Sequence, residues 1–505
     1  MFIRKKPNKT GSISVQIIDK SSGKYKVAKT IGSSRNPKEI KQLEIKARNF
    51  LIGSQLKLFK TSEEVVVENF LQDLSNSQIH TIGPELIFGT LFDRIGFNAI
   101  KEKLFRHIVI ARLTYPTSKL KTADYLYRYK GIFIDVQSIY RFLDRLNEKY
   151  KEQAEKIAYE YTQKTLGQIS VVFYDMTTLY FESEDEDDLR KIGFSKDGKF
   201  QNPQIMLGLL VGQNGYPIGY DIFEGNTYEG HTLIPTLKSL QRKYGFDKPI
   251  VVADAGLLSK DNIEKLKTEK YQFILGARIK NESESIKKEI LGKAVNIRDG
   301  QNFQIKKTDA TILVVGYSDK RKRKDEYNRK KGIEKLKQKI KFGKLTKASI
   351  NNRGYNKFLS LTGEIEVIMN EEKIEEDKSW DGLKGYITNT TLKPEEVMEN
   401  YRHLWQIEKA FRISKTDLKI RPIYHFVRRR IESHICIAFV AYTIYKELER
   451  LLAEHKISMS PKRAAELTHN MYQLEYVPPN TDEIKKIILK MDSEQEALRK
   501  IVCDI

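Results

Sequence analysis

Two aspartates and one glutamate have the residue types and the spacing to support metal chemistry. Asp175 and Asp254 each close a short apolar run, and such runs bounded by turn residues are typical of buried strands. Glu408 lies in a stretch, residues 395–418, that has neither Pro nor Gly and is predicted to be one helix. Phosphoryl transfer with two metal ions about 3.5–4 Å apart needs carboxylates from separate elements. Mg²⁺ suits such a site because it leaves positions for water and phosphate oxygens.

The predicted glutamate helix carries further polar residues beside Glu408. Positions seven apart nearly eclipse on an α-helix, so Tyr401, Glu408 and Lys415 are predicted to share one face. Arg412 lies one turn beyond Glu408. A carboxylate flanked by a phenol and two cations would suit a metal site that holds a phosphate. The same spacing also fits an exposed ion pair of Glu408 with Arg412, and this segment alone favours that simpler alternative.

Composition points to a polyanionic partner. The chain has 505 residues, with 89 Lys and Arg against 67 Asp and Glu, and its net charge of +22 favours nucleic acid first and an anionic membrane second. Two distant cysteines, Cys436 and Cys503, argue against a disulfide scaffold or a cysteine-based zinc site. No apolar run approaches the ~20 residues that span a bilayer, and no secretory signal is evident. We expect a cytoplasmic, nucleoid-associated protein with no membrane contact.

The elements that must position the carboxylates follow a recognisable order after residue 168. Three strands, a helix, a strand, a helix and a strand are predicted in turn, with Asp175 ending the first strand and Asp254 the fourth. This is the order of an α/β, RNase H-like core. In such a core the two strands that carry the aspartates would be neighbours at the centre of the sheet.

The remaining segments are predicted to surround this core. The helix at 135–144 resembles the second helix of a helix-turn-helix, with Ile139, Leu143 and Leu146 facing inward, although most such helices only pack. A Lys- and Arg-dense helical run, 320–347, fits either a solvated arm or a phosphate-binding surface. The predicted regions are 1–60, a small β-hairpin plus helix; 61–167, a mainly helical DNA-end-binding region; 168–279, the first part of the core; 280–385, a β-rich basic insertion; 386–450, the last part of the core with the glutamate helix; and 451–505, a helical tail that could serve dimerisation.

Four stretches carry a resemblance to a known family. They are Phe173-Tyr-Asp-Met-Thr-Thr178, Gly225-Asn-Thr-Tyr-Glu-Gly230, Val252-Ala-Asp-Ala-Gly256 and the helix from Tyr401 to Lys415. In these the chain resembles the DDE (RNase H-like) transposases of bacterial insertion sequences, in the branch with a Tyr-Arg-Glu-Lys helix signature. The resemblance implies an insertion between the second aspartate and the glutamate.

The resemblance also implies roles for individual residues. Asp175, Asp254 and Glu408 would bind two Mg²⁺ ions, with Mn²⁺ able to substitute, and Tyr401 and Lys415 would contact the DNA end. The signature expects an arginine three residues after Tyr401, where this chain has Leu404. Arg402 or Arg412 could replace it, and Arg412 lies on the better predicted face. Trp380 could stack on an extruded base, although packing in a core is the stronger expectation.

The activity implied by the resemblance is cut-and-paste transposition. Hydrolysis at the end of the element would free a 3′-OH, which would then attack target DNA, with a homodimer pairing the terminal inverted repeats on double-stranded DNA. Two alternatives stay open. One is a catalytically silent, transposase-derived DNA-binding protein, and the other is an RNase H-like nuclease without strand transfer.

Overall fold

The computed structural model describes most of the chain as two compact units. The described residues are 1–504 without 22, 57–69, 73, 76–77, 246, 309, 343–344, 346–348, 352–353, 363–365, 479–480 and 482. One unit comprises residues 1–91, 113–139 and 448–505, and the other comprises 92–112 and 140–447. Within the described residues, no helix combines the length and the apolar character that crossing a membrane would require.

The elements are numbered here in chain order. The strands are β1 Phe2–Pro7, β2 Ile13–Asp19, β3 Lys26–Ser34, β4 Ile79–Thr81, β5 Val171–Tyr180, β6 Gln204–Val211, β7 Pro217–Glu224, β8 Ile250–Ala253, β9 Phe273–Ala277, β10 Asn302–Thr308, β11 Thr311–Tyr317, β12 Leu359–Thr362, β13 Glu366–Met369, β14 Leu383–Thr388, β15 Tyr472–Tyr476 and β16 Lys485–Ile488. The α-helices are α1 Pro37–Leu56, α2 Thr90–Ile95, α3 Lys103–Thr114, α4 Lys119–Lys130, α5 Val136–Arg145, α6 Lys151–Leu166, α7 Leu233–Tyr244, α8 Lys260–Thr268, α9 Glu284–Ala294, α10 Asp319–Lys341, α11 Glu371–Lys378, α12 Pro394–Arg402, α13 Trp405–Arg412, α14 Arg428–Glu454, α15 Pro461–Thr468 and α16 Ser493–Cys503. Short 3₁₀ and π-helical turns join several of them.

The N-terminal part of the first unit is a three-stranded antiparallel sheet, β1-β2-β3, followed by α1. The predicted hairpin corresponds to β2 and β3, and the predicted helix is α1. Val15 and Ile17 of β2 are buried against Ala47 of α1, because alternate residues of a strand share one face. β1 is an additional strand that the sequence pattern did not reveal.

The C-terminal tail is not purely helical, so that prediction was wrong. Between α15 and α16 the chain forms β15 and β16, and β15 pairs antiparallel with both β16 and β4. The alternation Tyr-Gln-Leu-Glu-Tyr in β15 is that of a strand with one buried face. Its partner β4 lies almost 400 residues earlier in the chain, so its pairing could not be read from the local pattern.

The second unit is mixed α/β and is built on an eight-stranded mixed sheet in the order β10-β11-β14-β9-β8-β5-β6-β7. β5 pairs parallel with β8, which confirms the prediction that the two aspartate-bearing segments are adjacent, and β8 pairs parallel with β9. The remaining pairs are antiparallel. Leu233, Leu237 and Leu240 of α7 cover one face of this sheet. The hairpin between β6 and β7 turns at Asn214-Gly215, where both residues have positive φ.

Three strands of the predicted insertion extend this sheet. β14 pairs antiparallel with β9, and β11 and β10 continue the ladder outward. The segment also contains α9, α10 and α11, so its description as β-rich needs correction: its helices hold more residues than its strands. The basic run is helical from Asp319 to Lys341, and part of its predicted continuation to Lys347 lies outside the described residues.

The predicted single helix over residues 395–418 is wrong, because the chain turns at His403 and Leu404. α12 ends at Arg402, α13 begins at Trp405, and a π-helical turn, Ile413–Asp417, follows. Across the turn the backbone bonds are three residues apart, as from Leu404 N to Tyr401 O at 3.1 Å. Gly215 N donates to the buried Gln406 Oε1 at 3.1 Å, a tertiary contact that anchors α13 independently of α12.

Candidate active site

Asp175 and Asp254 lie at the same end of two parallel strands. The parallel pairing of β5 with β8 ends at Tyr174 and Ala253, and the next residue on each chain segment is an aspartate. Asp254 directly follows β8, and its Oδ1 accepts a hydrogen bond from Gly256 N at 3.2 Å. Asp175 does not end its strand, as the sequence had suggested, because β5 continues to Tyr180 as the antiparallel partner of β6.

The electrostatic environment of Asp175 links it to neighbouring charges. The pKa of Asp175 is raised to about 6, chiefly by burial and to a lesser extent by the nearby carboxylates of Glu229 and Asp254, while Lys196 acts in the opposite direction. Like charges placed together disfavour ionisation, and a divalent cation would relieve the repulsion. Asp175 therefore lies in a carboxylate cluster whose stability depends on a compensating positive charge.

Glu408 lines the same cavity as Asp254 and Tyr401. Burial raises the pKa of Tyr401 well above its ordinary value, and the negative charges of Asp254, Glu408 and Asp175 add to the effect. The turn at Leu404 does not separate Tyr401 from Glu408, although the two residues belong to different helices.

An open cavity of about 920 Å³ lies beside this cluster. Among the described residues, Asp254, Glu408 and Tyr401 line it and Asp175 does not. Its walls also hold positive charge from the segment between Asp254 and Glu408, contributed by Lys384 and by Arg321 of α10. The Lys384 ammonium lies 4.4 Å from the centre of the Tyr401 ring, and burial lowers the pKa of Lys384. Both cations belong to the predicted insertion. Arg321 lies in the basic run 320–347, which fitted a phosphate-binding surface, whereas the sequence did not single out Lys384.

The donor set fits a hard divalent cation, because carboxylate oxygens are the ligands that Mg²⁺ and Mn²⁺ prefer. Asp175, Asp254 and Glu408 are the side chains that could hold it. In the described part of the chain, however, no three His, Cys, Asp or Glu side chains stand close enough together to form a metal site. The three carboxylates thus have the right chemistry but are more widely spaced than metal binding requires.

The residues predicted to contact DNA occupy different environments. Lys415 is mostly buried, and its Nζ lies 3.1 Å from both carboxylate oxygens of Asp197. Arg402 is exposed, lines the cavity and donates to Glu399 at 2.9 Å. Arg412 is exposed on α13, and it is not among the described residues that line the cavity. Of the two arginines considered as substitutes for the expected one, Arg402 therefore lines the cavity, whereas the predicted helix face had favoured Arg412.

Leu404 and the two tryptophans complete the cavity wall. Leu404, which stands where the resemblance expects an arginine, is 8% exposed and presents an apolar surface there. Trp380 is 5% exposed and packs with Ile279, Ile290 and Leu313, which confirms that it belongs to a core. Trp405, in contrast, is 52% exposed and lies beside Glu408 along the cavity.

Two charged residues beside Asp175 were also missed by sequence reasoning. Lys196 lies in the connection between β5 and β6, and its Nζ is 3.6 Å from Asp175 Oδ1. It also donates to Glu229 and, at 2.6 Å, to Met176 O. Glu229 falls within the Gly225–Gly230 motif, which was a usable signal. Lys196 has no such signal, because a lysine in a polar loop is ordinarily solvated.

Comparisons of the sequence with a family model and with individual proteins agree on one family. Residues 166–444, more than half of the chain, match the family described as Transposase DDE domain. The transposase for insertion sequence element IS231E of Bacillus thuringiensis subsp. finitimus is 28% identical over 127 residues, covering 23% of this chain and 27% of that protein. The IS231B transposase of Bacillus thuringiensis subsp. berliner is 26% identical over the same length and coverage. The match thus spans about a quarter of the length of these curated relatives.

Solved structures share only a distant likeness with this chain. A piggyBac transposase synaptic complex with hairpin DNA aligns over 76% of both chains, with a TM-score of 0.39 and 9% identity. A Mos1 transposase paired-end complex with the left transposon end aligns over 31% of this chain and 53% of that one, with a TM-score of 0.16 and 16% identity. At these TM-scores neither likeness supports an inference about this chain.

Proposed function

The chain belongs to the transposase DDE domain family, and from that premise we propose that it is a DNA transposase that moves an insertion sequence by a cut-and-paste reaction. The observation that carries the proposal is the parallel pairing of β5 with β8, which places Asp175 and Asp254 at the same end of neighbouring strands, with Glu408 lining the same cavity as Asp254. The net charge of +22 supports a polyanionic substrate.

We propose that the sheet β7-β6-β5-β8-β9 is the RNase H-like core, with residues 280–385 as the insertion. Residues 61–167 would bind the DNA end. On α5, Gln137 and Arg141 are exposed while Ile139 and Leu143 are buried, as a DNA-reading helix requires. Two copies of the chain would pair the two terminal inverted repeats, and the tail beyond residue 450 would contribute to dimerisation.

Asp175, Asp254 and Glu408 would hold two divalent ions, Mg²⁺ or Mn²⁺. When bound, such ions supply Lewis acidity and lower the pKa of a coordinated water. The phenol of Tyr401 has a pKa raised by burial and by the carboxylates, so it stays protonated at neutral pH and can donate a hydrogen bond to a phosphate oxygen. Lys384 and Arg321 line the same cavity and would hold the backbone phosphates of the DNA end.

The reaction would proceed by two in-line displacements at phosphorus. In the first, water attacks the phosphodiester at the end of the element and the 3′-oxygen leaves with a proton as a 3′-OH. In the second, this 3′-OH attacks the phosphorus of a phosphodiester in the target DNA. A new P–O bond forms, the bond to the target's own 3′-oxygen breaks, and that oxygen leaves as a 3′-OH with the proton of the attacking hydroxyl. The chain's own contribution would be positioning and charge, because phosphoryl transfer depends mainly on both.

The test uses the full-length protein, a DNA fragment that carries the terminal repeats found beside its gene, and supercoiled plasmid as target. With Mg²⁺ we expect cleavage at the repeat and joined products on the plasmid, and Glu408→Gln should lose both. Cleavage without joined products would instead establish a nuclease without strand transfer. Binding without cleavage would establish a catalytically silent DNA-binding protein, and either result would overturn the proposal.

A further inference from the structure

The connection between β5 and β6 carries a charged turn that contacts the proposed active site. We define the Lys196–Asp197 turn as residues Ser195 to Gly198. Ser195 is buried, and its Oγ accepts hydrogen bonds from Asp197 N at 3.3 Å and from Lys199 N at 3.1 Å. Gly198 has a φ of +74°, which suits glycine. Local bonds therefore fix the turn, so Lys196 and Asp197 are held as a pair.

Lys196 places a positive charge among the carboxylates. Its ammonium lies 3.6 Å from Asp175 and donates to Glu229. Burial alone would lower the pKa of Lys196, but the charges of Asp175, Glu229 and Asp254 outweigh it and raise the pKa. Asp175, one of the three carboxylates proposed to hold metal ions, is thus paired with a cation of the same protein, which it shares with Glu229.

Asp197 places a negative charge against cations proposed to bind DNA. Its carboxylate accepts from Lys415 Nζ at 3.1 Å and lies 3.3 Å from Arg421 Nε. The side chains of Asp197 and Lys415 are only 14% and 11% exposed, so this pair is screened little by solvent. A DNA phosphate that approached Lys415 would have to replace the carboxylate of Asp197.

We propose that the Lys196–Asp197 turn is an autoinhibitory element, in which Lys196 stands in for the divalent cation and Asp197 for a phosphate of the DNA end. The inference rests on the proposed function. Adjacent residues would then have to leave the site together when DNA and cations bind. The turn lies in a connection without regular strand or helix, and Phe194 and Phe200 beside it are 78% and 57% exposed. Displacing the turn would therefore break none of the sheet pairing.

This arrangement predicts that the two ligands assist each other. A cation that displaces Lys196 also moves Asp197 and frees Lys415 for DNA, and DNA that displaces Asp197 frees Asp175 for the cation. Such coupling is reciprocal, and it typically changes affinity about 5- to 150-fold. Replacing Lys196 or Asp197 should therefore weaken the dependence of the cation affinity on DNA and of the DNA affinity on the cation.

The first measurement is Mn²⁺ binding to the full-length protein without DNA, followed by electron paramagnetic resonance. Lys196→Ala should bind Mn²⁺ at least about fivefold more tightly than the wild type. Lys199→Ala is the matched control, since it removes a lysine from the same connection whose ammonium lies over the Tyr180 ring. Lys196→Gln retains hydrogen-bonding capacity and should show the same gain if Lys196→Ala proves unstable. Unchanged or weaker Mn²⁺ binding by both variants would overturn the proposal.

The second measurement is binding of terminal-repeat DNA in the presence of EDTA, over a range of salt concentrations. Asp197→Asn should bind more tightly, and its affinity should fall more steeply with salt, by about 0.9 in log–log slope for each phosphate gained. Asp188→Asn makes the same charge change at an exposed position of the same connection and should leave the slope unchanged. Weaker binding by Asp197→Asn would mean that Asp197 positions Lys415 for DNA, which would refute autoinhibition.

Neither measurement requires catalysis, so the proposed function and the autoinhibitory role of the turn can be refuted independently of each other. If Lys196→Ala binds Mn²⁺ more tightly and Asp197→Asn binds DNA more tightly, but the protein never cleaves DNA, the proposed function is refuted and the turn remains a switch for binding. A protein that cleaves and joins DNA without either gain would support the proposed function and overturn the role of the turn.

Discussion

Gly276 of β9 is the position where one added methyl group should disturb the site most. A Cβ at this residue would lie 2.5 Å from the Tyr401 Oη, 3.2 Å from its Cζ and 3.0 Å from the backbone nitrogen of Ala255. Ala255 follows Asp254 directly. Gly276→Ala must therefore move the phenol, the turn that carries Asp254, or both.

The expected cost follows from the contacts that must be relieved. Overpacking a well-packed interior costs about 1–3 kcal/mol, and here one of the opposing atoms is backbone, which yields less readily than a side chain. Tyr401→Phe removes the Oη and with it the shortest contact, but it leaves the contacts at 3.2 and 3.0 Å. The double variant should recover part of the loss, which corresponds to a coupling energy of about 0.5–2 kcal/mol.

Urea unfolding of the four proteins gives this coupling energy, and DNA cleavage by Gly276→Ala reports on the Asp254 turn. We expect Gly276→Ala to lower both stability and cleavage. Gly292→Ala is the control, because a Cβ there meets nothing within 4 Å, and it should be neutral or up to about 1 kcal/mol stabilising. A Gly276→Ala protein as stable and active as the wild type, or a loss that Tyr401→Phe leaves unchanged, would refute the described packing of the site.

Three further predictions concern the framework around the site. Hydrogen bonds, of which that from Arg430 contributes most, hold the pKa of Asp144 at about 2. Asp144→Asn should therefore lower the free energy of unfolding at neutral pH by about 1 kcal/mol, a figure reduced for solvent screening. Because the folded pKa lies below the ordinary 3.8, the difference should persist above pH 4 and disappear between pH 4 and 2 in pH-dependent urea unfolding. Trp380→Ala should cost about 3–5 kcal/mol in the same assay, through the cavity it leaves. Arg329→Met should cost a similar ~3–5 kcal/mol because it leaves the buried Asp381 carboxylate unpaired, and adding Asp381→Leu should recover most of the loss.

The adjacency of Asp175 and Asp254 could be predicted because strand and helix order restricts sheet topology. The length of β5 could not be predicted, since a charged residue after an apolar run, as at Asp175, usually marks the end of a strand. The residues after it, Met176 to Tyr180, are nevertheless buried, and pairing with β6 keeps them extended. β5 can carry a carboxylate at Asp175 because its pairing with β8 ends at Tyr174, while its pairing with β6 continues. The local sequence does not show where the pairing with β8 ends.

The turn at Leu404 and the position of Lys196 illustrate a second limit. No Pro or Gly marks the break between α12 and α13. The contact that anchors α13 joins Gln406 to Gly215, 191 residues apart, so the local sequence does not show it. Lys196 likewise belongs to the site only through its contacts with Asp175 and Glu229. Local patterns predicted the elements and the carboxylates, whereas these charge and packing contacts depend on segments distant in sequence.

Cleavage of terminal-repeat DNA by Asp254→Asn tests the central claim most directly. The asparagine Oδ1 can still accept the hydrogen bond from Gly256 N, so the turn should be preserved while the carboxylate charge is lost. With Mg²⁺ or Mn²⁺ present, we predict that the variant binds the repeat at least as tightly as the wild type and does not cleave it. Cleavage at the wild-type rate would contradict the assignment of Asp254, and with it the proposed catalytic site.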